Sequence, residues 1–305
     1  MPDTIPSFTP HFTLTPLIQR QLLAIDACRG FLEAVRLRDD WGADLQRKAR
    51  VQDALSSVQI EGNSLTYAEA FELAHNVPDR ELRDSEREFL NYLSAFEALD
   101  GLAGNRDARI TRMDLQNLHK LLVDGVRGGH RFAGQLRRES VTVGDREGDT
   151  VVVHHQPPHW GDVEPELTAL FDWIELAKQK PTPKQIAKGA ADPWVHPVIV
   201  AGIAQHRLVW IHPFVDGNGR SARMLTTLLL YQREYDFKYL FDLSSYYEKN
   251  RDKYYDALRA VDRTGDYTPW LQYFLGGLSS QMMGIRATAR TAAQGITVAA
   301  PTGEA

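Results

Sequence analysis

HPFVDGNGRSAR, residues 212–223, separates two apolar segments, and the way it does so sets the architecture. Upstream, Val195, Val198, Ile199, Gly202, Ile203, Val209 and Trp210 make the segment ending at Ile211 apolar nearly all round, the pattern of a helix at the centre of a bundle. Pro213 stops it from continuing smoothly. Downstream, Met224, Leu225, Leu228 and Leu229 recur at helical spacing, so a second central helix opens near Gly219. Between the two, Gly217 and Gly219 permit positive φ and let backbone N–H groups converge at a helix N-terminus, which attracts anions. Arg220 and Arg223 are three apart, share one face of the new helix and strengthen that site, with phosphate as the natural guest. Asp216 belongs beside an anion only if a divalent cation intervenes, and Mg²⁺ suits a lone protein carboxylate because it takes its other oxygens from phosphate and water. His212, with an ordinary pKa of about 6.5, is able to be neutral and to take a proton from an incoming hydroxyl. A plain connector, with Asp216 or Asn218 as N-cap and solvated arginines, explains each residue singly. A connector needs only one cap and one glycine, and this stretch has more.

Outward from this turn the pattern is helical. Leu22, Leu23, Ile25, Ala27, Phe31, Leu32, Val35 and Leu37 recur mostly at steps of three and four, and Leu45, Val51, Leu55 and Val58 continue in a second helix that the glycine of IEGN, Gly62, should stop. Thr66 and Glu69 have capping-box spacing and predict a third helix start. DSEREFLNYLSAFEAL, TRMDLQNLHKLLVDGV, DVEPELTALFDWIELAK, NRDKYYDALRAV and the segment from Thr268 predict further helices. SVTVGD and TVVVHH, joined by the charged turn DREGD, break the pattern and predict one β-hairpin over 140–155, which needs the helical body for support and leaves an open edge. The proline-punctuated opening TIPSFTPHFTLTP reads as an extended arm, KPTPK as a loop, and 286–305 as an unstructured tail. The expected fold is therefore all-α with a single hairpin. An N-terminal helical extension over 1–105 precedes the main domain over 106–285.

Composition narrows the function. The 305 residues hold 40 acidic and 35 basic side chains, a formal charge of -5, which offers no basic field for nucleic acid and no polybasic membrane anchor. Cys28 is the sole cysteine, so an intramolecular disulfide and a cysteine zinc cluster are both excluded. No stretch approaches the roughly 20 apolar residues of a spanning helix, and the N-terminus lacks a secretory pattern. A cytoplasmic protein is expected. His154, His155 and His159 suggest zinc, but neighbours on a strand face opposite ways and no fourth ligand has recognisable spacing.

At every fixed position HPFVDGNGRSAR resembles the Fic-family motif HxFx(D/E)GNGRxxR, and the similarity extends through AGQLRRESVTVGD, the region SSYYEKNRDKYYDALRAVDRTGDYTPWLQYFL and the early SSVQIEGN. That resemblance implies a Fic-type helical bundle with a hairpin flap, and an enzyme moving AMP from ATP onto a hydroxyl of a target protein with release of pyrophosphate. It implies His212 as base, Asp216 as Mg²⁺ ligand, and a phosphate cradle of Gly217, Asn218 and Gly219 to which Asn218 adds its side chain. Ser221 belongs to the same nucleotide-binding loop, Arg220 and Arg223 bind the outer phosphates, and Phe214 pins the loop to the core. Tyr255 and Asp262 are the candidates for the adenine pocket, with Asp262 standing where asparagine is expected. The flap would receive the target segment by strand addition. Dimers are common in such a family, though no self-complementary patch is readable here, and the chain shows no winged-helix segment for DNA.

Ser57 and Glu61 are four apart, stacked on one helical face, whereas a capping box needs three. A carboxylate at a helix C-terminus is disfavoured by up to about 1 kcal/mol and so wants a cationic partner. SSVQIEGN resembles the (S/T)xxxE(G/N) inhibitory helix of autoregulated Fic proteins. The resemblance implies that Glu61 pairs with Arg223, keeps it from the γ-phosphate and holds the enzyme off, with Ser57 and Gly62 completing the motif. Three alternatives remain: transfer of another phosphate-containing group, hydrolytic removal of AMP, and a nucleotide-binding regulator without turnover.

Overall fold

The computed structural model describes residues 8–35, 39–126, 131–147, 150–180 and 193–293. Side chains at 39–41, 145–147, 150–151 and 291–293 are outside this description. Eleven α-helices, two single-turn 3-10 helices (Trp160–Asp162 and Phe237–Tyr239) and one two-stranded sheet make up the regular structure among the described residues. In chain order the α-helices and strands are α1 (Pro16–Ala34), α2 (Asp39–Ile60), α3 (Tyr67–His75), α4 (Asp84–Ala103), α5 (Arg112–Leu122), β1 (Val143–Glu147), β2 (Thr150–His155), α6 (Val163–Ala177), α7 (Pro197–Ile211), α8 (Asn218–Gln232), α9 (Leu243–Lys249), α10 (Arg251–Thr264) and α11 (Thr268–Ala293). The all-α bundle with one hairpin expected from the sequence is the fold observed.

Local chemistry starts these helices where the sequence asks. Thr15 accepts the amide of Ile18 and Pro16 takes the first helical position, where a missing N–H costs nothing. Thr66 with Glu69 and Thr111 with Asp114 form complete capping boxes. Gly62, at φ 91°, ends the α2 turn in a region that a side chain would resist. α7 lies centrally, packed on α6, α8 and α11, with Val198, Ile199, Ala201, Ile203, Ala204, Leu208 and Ile211 all buried. Its buried Gln205 is matched by Thr226 Oγ1 at 3.0 Å and Tyr247 Oη at 3.1 Å, so this polar side chain inside the core has partners.

The N-terminal helices are fastened to this centre. α1 lies along α11, and α2 packs on α4 and α9. Asp53 of α2 accepts the amide of Ser244 at 2.9 Å, and Ser56 Oγ meets Ser245 Oγ at 3.0 Å, so α2 is docked by its polar side onto the start of α9. In the opening arm, Phe8 packs edge-on against Trp173 and Tyr267, and Thr13 and His11 bond to Thr268 and Tyr267. The arm from Phe8 onward therefore lies on the body.

Three expectations change. The first strand of the hairpin begins at Val143 rather than Ser140 and takes in residues 145–147, with a bulge between Val143 and Gly144 where the pairing skips one residue of β2. α11 continues to Ala293, since Ile285 and Ala289 still find apolar neighbours, so the start of the expected tail is helical. The short α9, formed by Leu243–Lys249, is an additional helix. Residues 181–192, which include most of the expected loop, and 294–305 lie outside the described residues. Among the described residues, no helix is long and apolar enough to cross a membrane.

Candidate active site

The site forms where the C-terminus of α7 meets the N-terminus of α8. His212 leaves α7 in the left-handed region, φ 51° and ψ 60°. Phe214, completely buried, follows and stacks on His119 of α5 with ring centroids 3.6 Å apart and planes 6° from parallel. Asn218 then closes the turn on itself, because its Oδ1 accepts the amide of Phe214 and its Nδ2 donates to the Phe214 carbonyl, both at 2.9 Å. The side chain expected to reach toward phosphate is thus engaged inside the turn. Gly217 has φ 76°, and a Cβ there would approach Val123 Cγ1 to 2.8 Å, so both conformation and space require glycine.

Two residues outside the motif hold this turn from below. His119 accepts the amide of Gly134 on Nδ1 at 3.0 Å, which leaves Nε2–H to donate to the Asp216 carbonyl at 2.9 Å. Burial pushes its pKa down to about 4, so it stays neutral in this role. Glu88 of α4, also buried, accepts from Asn63 Nδ2 at 2.9 Å and lies 3.4 Å from Arg220 Nη1. Sequence carried a signal for each. His119 falls on the face of Leu115, Leu118 and Leu122, and Glu88 on the face of Tyr92, Ala95 and Leu99, so each is a polar group on a buried stripe.

The imidazole of His212 has one fixed nitrogen. Nδ1 sits 3.2 Å from the Val209 carbonyl, which only accepts, so Nδ1 carries the hydrogen and Nε2 is left with a lone pair. Burial pushes the pKa down to about 4, which keeps that lone pair available at neutral pH.

Beyond the turn, the first turn of α8 presents the amides of Asn218, Gly219 and Arg220, which have no carbonyl one turn back to bond. Arg220 is 1 % exposed, reaching Glu88 and, at 3.1 Å, Asp216 Oδ2, while Arg223 Nε donates to Ser57 Oγ at 2.7 Å. Arg223 Nη2 donates to the Ser57 carbonyl at 2.9 Å and to Glu61 Oε1 at 2.7 Å. Three polar atoms of this group are buried without a hydrogen-bond partner: Arg220 Nε, Arg223 Nη1 and Ser221 Oγ. Such atoms are costly unless a ligand or water completes them. The Glu61 carboxylate also lies against Gly219, where a Cβ would collide with Oε1. The cradle thus already holds a carboxylate, contributed by the residue just past α2.

Asp216 is a single half-exposed carboxylate, with Oδ1 accepting the Gly217 amide at 2.7 Å. Among the described residues no group of three or more histidine, cysteine or carboxylate side chains converges on a metal position. A cation relying on Asp216 would therefore need most of its oxygens from elsewhere, which fits Mg²⁺ brought with phosphate and fits zinc badly.

The two adenine-pocket candidates part ways. Tyr255, partly buried on α10, has its hydroxyl pushed up to about 12, by burial first and then by Glu61. It therefore lies within the electrostatic reach of the cradle. Asp262 instead faces His155 Nδ1 at 3.4 Å and His206 Nε2 at 3.2 Å. Burial alone would push its carboxyl up, but the two imidazoles outweigh that and hold it well below the usual range. His155 in turn is raised, since its Nε2 donates to the Trp210 carbonyl at 2.8 Å and Asp262 meets its other nitrogen, together overcoming burial. Asp262 thus ties β2 to α7 and α10. His159 accepts the Gly161 amide at 3.1 Å.

One tight turn thus joins a neutral imidazole to a helix start lined by amides and guanidinium groups. Residues 109–230 match the model of the Fic/DOC family. Among curated relatives it is 29% identical over 262 residues to "Protein adenylyltransferase Fic" of Culex quinquefasciatus, across 84% of this chain and 46% of that protein, and 28% identical with the same coverage to its namesake in Drosophila willistoni. The chain thus spans about half the length of the curated relatives it matches. A Fic family protein from Desulfovibrio desulfuricans G20 shares the fold with a TM-score of 0.75 at 22% identity, over 95% of this chain and 87% of that one. Fic-1 from C. elegans (residues 134–508) superposes with a TM-score of 0.67 at 20% identity, over 90% and 73%.

Proposed function

We propose that this chain transfers AMP from ATP to a hydroxyl side chain of a target protein, and that its α2 helix holds it off in the state described above. The observation that carries the reading is the Glu61 carboxylate lodged between Arg223 and Gly219, an anion seated beside an imidazole with a free Nε2. A site that accommodates a carboxylate there, and still has an unpartnered Arg223 Nη1, suits the outer phosphates of a nucleoside triphosphate.

The reaction follows from these groups. The target hydroxyl gives its proton to His212 Nε2 as its oxygen bonds to the α-phosphorus, the α,β-bridging P–O bond breaks, and pyrophosphate departs. Arg220, Arg223 and the α8 amides bind and orient the triphosphate, and Asp216 would hold Mg²⁺, which supplies neutralising charge to the phosphates. His212, already neutral because it is buried, accepts a proton without first having to lose one. Tyr255, which shares the field of Glu61, is the better of the two adenine candidates.

Autoinhibition follows from competition for one guanidinium. While Glu61 holds Arg223 Nη2, and Ser57 holds Nε, the arginine is turned away from an incoming γ-phosphate. The target is proposed to dock as an extended segment along the hairpin, where Val152 and Val153 are exposed. The proposed division keeps residues 1–105 as the inhibitory extension and 106–285 as the catalytic domain, in a cytoplasmic protein.

Mass spectrometry after incubation of wild type and Glu61→Gly with ATP and Mg²⁺ tests this. The variant is expected to gain increments of one AMP moiety, on itself or on lysate proteins, well above wild type. A different increment would mean that another phosphate-containing group is moved. No increment in either protein would favour a nucleotide-binding regulator.

A further inference from the structure

We infer that Arg137 is a positioning residue that joins the turn of His212 to both roots of the hairpin, so that the base and the docked hydroxyl share one frame. The inference rests on the adenylyl-transfer reading, and its starting point is helix chemistry. The last carbonyls of a helix have no donor within it, and a histidine in the left-handed region is strained unless its surroundings fix it there.

Four consecutive carbonyls, the last two of α7 and those of His212 and Pro213, are met by Arg137 and His155. His155 Nε2 donates to Trp210 O at 2.8 Å, Arg137 Nη2 to Ile211 O at 3.3 Å, Arg137 Nε to His212 O at 2.7 Å, and the Arg137 backbone amide to Pro213 O at 2.9 Å. The rest of the guanidinium is equally engaged. Nη1 donates to the Glu139 carbonyl at 3.1 Å and Nη2 to the Pro158 carbonyl at 2.6 Å. Glu139 stands four residues before β1, and Pro158 stands three residues after β2. One side chain, 3 % exposed, therefore spans the way into the hairpin, the way out of it, and the peptide that carries the base.

The charge is spent on carbonyls alone. Among the described residues no carboxylate forms an ion pair with Arg137, and burial pulls its pKa down without a counter-ion to restore it. A cation capping a helix C-terminus is favoured by the macrodipole, and the planar fork reaches several carbonyls in fixed directions, which a lysine ammonium does not reproduce. Removing the fork frees the peptide at 212 to leave the left-handed region and carries Nε2 with it. A shift of about 1 Å at a reacting group costs on the order of 10²-fold in rate. A residue needed only for folding would lower stability and leave turnover per folded molecule intact.

The test compares Arg137→Lys and Arg137→Gln, each in the full chain carrying Glu61→Gly, by the rate of AMP incorporation, ATP affinity by calorimetry, and amide hydrogen exchange. Arg137→Gln is expected to slow incorporation about 10²-fold while ATP affinity changes less than about threefold, and Arg137→Lys to lie between it and the parent. Exchange is expected to rise jointly in peptides covering the hairpin roots and residues 208–216. An incorporation rate within about threefold of the parent overturns the inference, as does exchange that rises throughout the chain or in only one of the two segments. Should the Glu61→Gly parent incorporate no AMP, adenylyl transfer fails by itself, and the exchange pattern still decides whether Arg137 joins turn and hairpin.

Discussion

The C-terminus of α7 and the N-terminus of α8 are separated by six residues, and each is completed by a distant part of the chain. At α8 the unpaired first-turn amides attract negative charge, and Glu61, one residue past α2, supplies it. At α7 the exposed carbonyls attract donors and positive charge, and Arg137 and His155 supply them. The difference lies in what a nucleotide would bring. Phosphate is negative, so it competes with Glu61 for the α8 end and has no quarrel with Arg137 at the α7 end. On the proposed reading one filling is exchangeable and the other permanent, a switch and a scaffold at the two ends of one tight turn.

The comparison breaks most visibly at the base it positions. His212→Ala is expected to lower AMP incorporation by about 10²- to 10⁴-fold while ATP affinity by calorimetry stays near the parent value, because the imidazole acts on the hydroxyl and the cradle is intact. Parallel loss of binding and turnover would instead place His212 in the cradle.

Next is the exchangeable side. Glu61→Gly is expected to raise incorporation at least about tenfold and to lower apo stability by about 2 kcal/mol. That is below the cost of a fully buried pair, because Glu61 is partly exposed while Arg223 is left inside. ATP with Mg²⁺ should restore the thermal midpoint of the variant more than it raises that of wild type, since ligand and carboxylate fill one place.

Acid should strike the scaffold side. His119 and His212 both have their pKa pushed down to about 4 by burial, against about 6.5 in an unfolded chain. The unfolded state therefore binds more protons between these values, so the stability that their neutrality confers is complete above about pH 6.5 and is lost as pH falls toward 4. Between pH 6.5 and 5 this amounts to about 1.5 kcal/mol for each imidazole, measurable as a falling urea midpoint. The smallest effect belongs to Ser57→Ala, which removes the bond to Arg223 Nε and leaves two others to Nη2. About 1 kcal/mol of lost restraint corresponds to a rise in incorporation of no more than about fivefold.

The exchangeable side was the more legible of the two. Ser57, Glu61, Arg220 and Arg223 sit in short spans whose spacing places charges on defined helix faces, and helical periodicity marked α7 and α8 without reference to anything distant. Arg137 and Asp262 were opaque in their roles because these depend on carbonyls and imidazoles brought from elsewhere by the fold, and nothing local distinguishes Arg137 from the neighbouring Arg138. The closing role of Asn218 was hidden for a related reason, since its two bonds to the Phe214 backbone exist only once the turn is folded. The shift of β1 toward Glu147 was hidden because alternation fixes which residues share a face and leaves the point where pairing starts to the partner strand.

A crystal structure of Glu61→Gly with ATP and Mg²⁺ would test the two-pole account most directly. It should show phosphate oxygens on the amides of Asn218, Gly219 and Arg220 and on Arg223, with His212 and Arg137 unmoved. A nucleotide bound elsewhere, with Arg223 still on Ser57 and the α8 amides facing solvent, would contradict it.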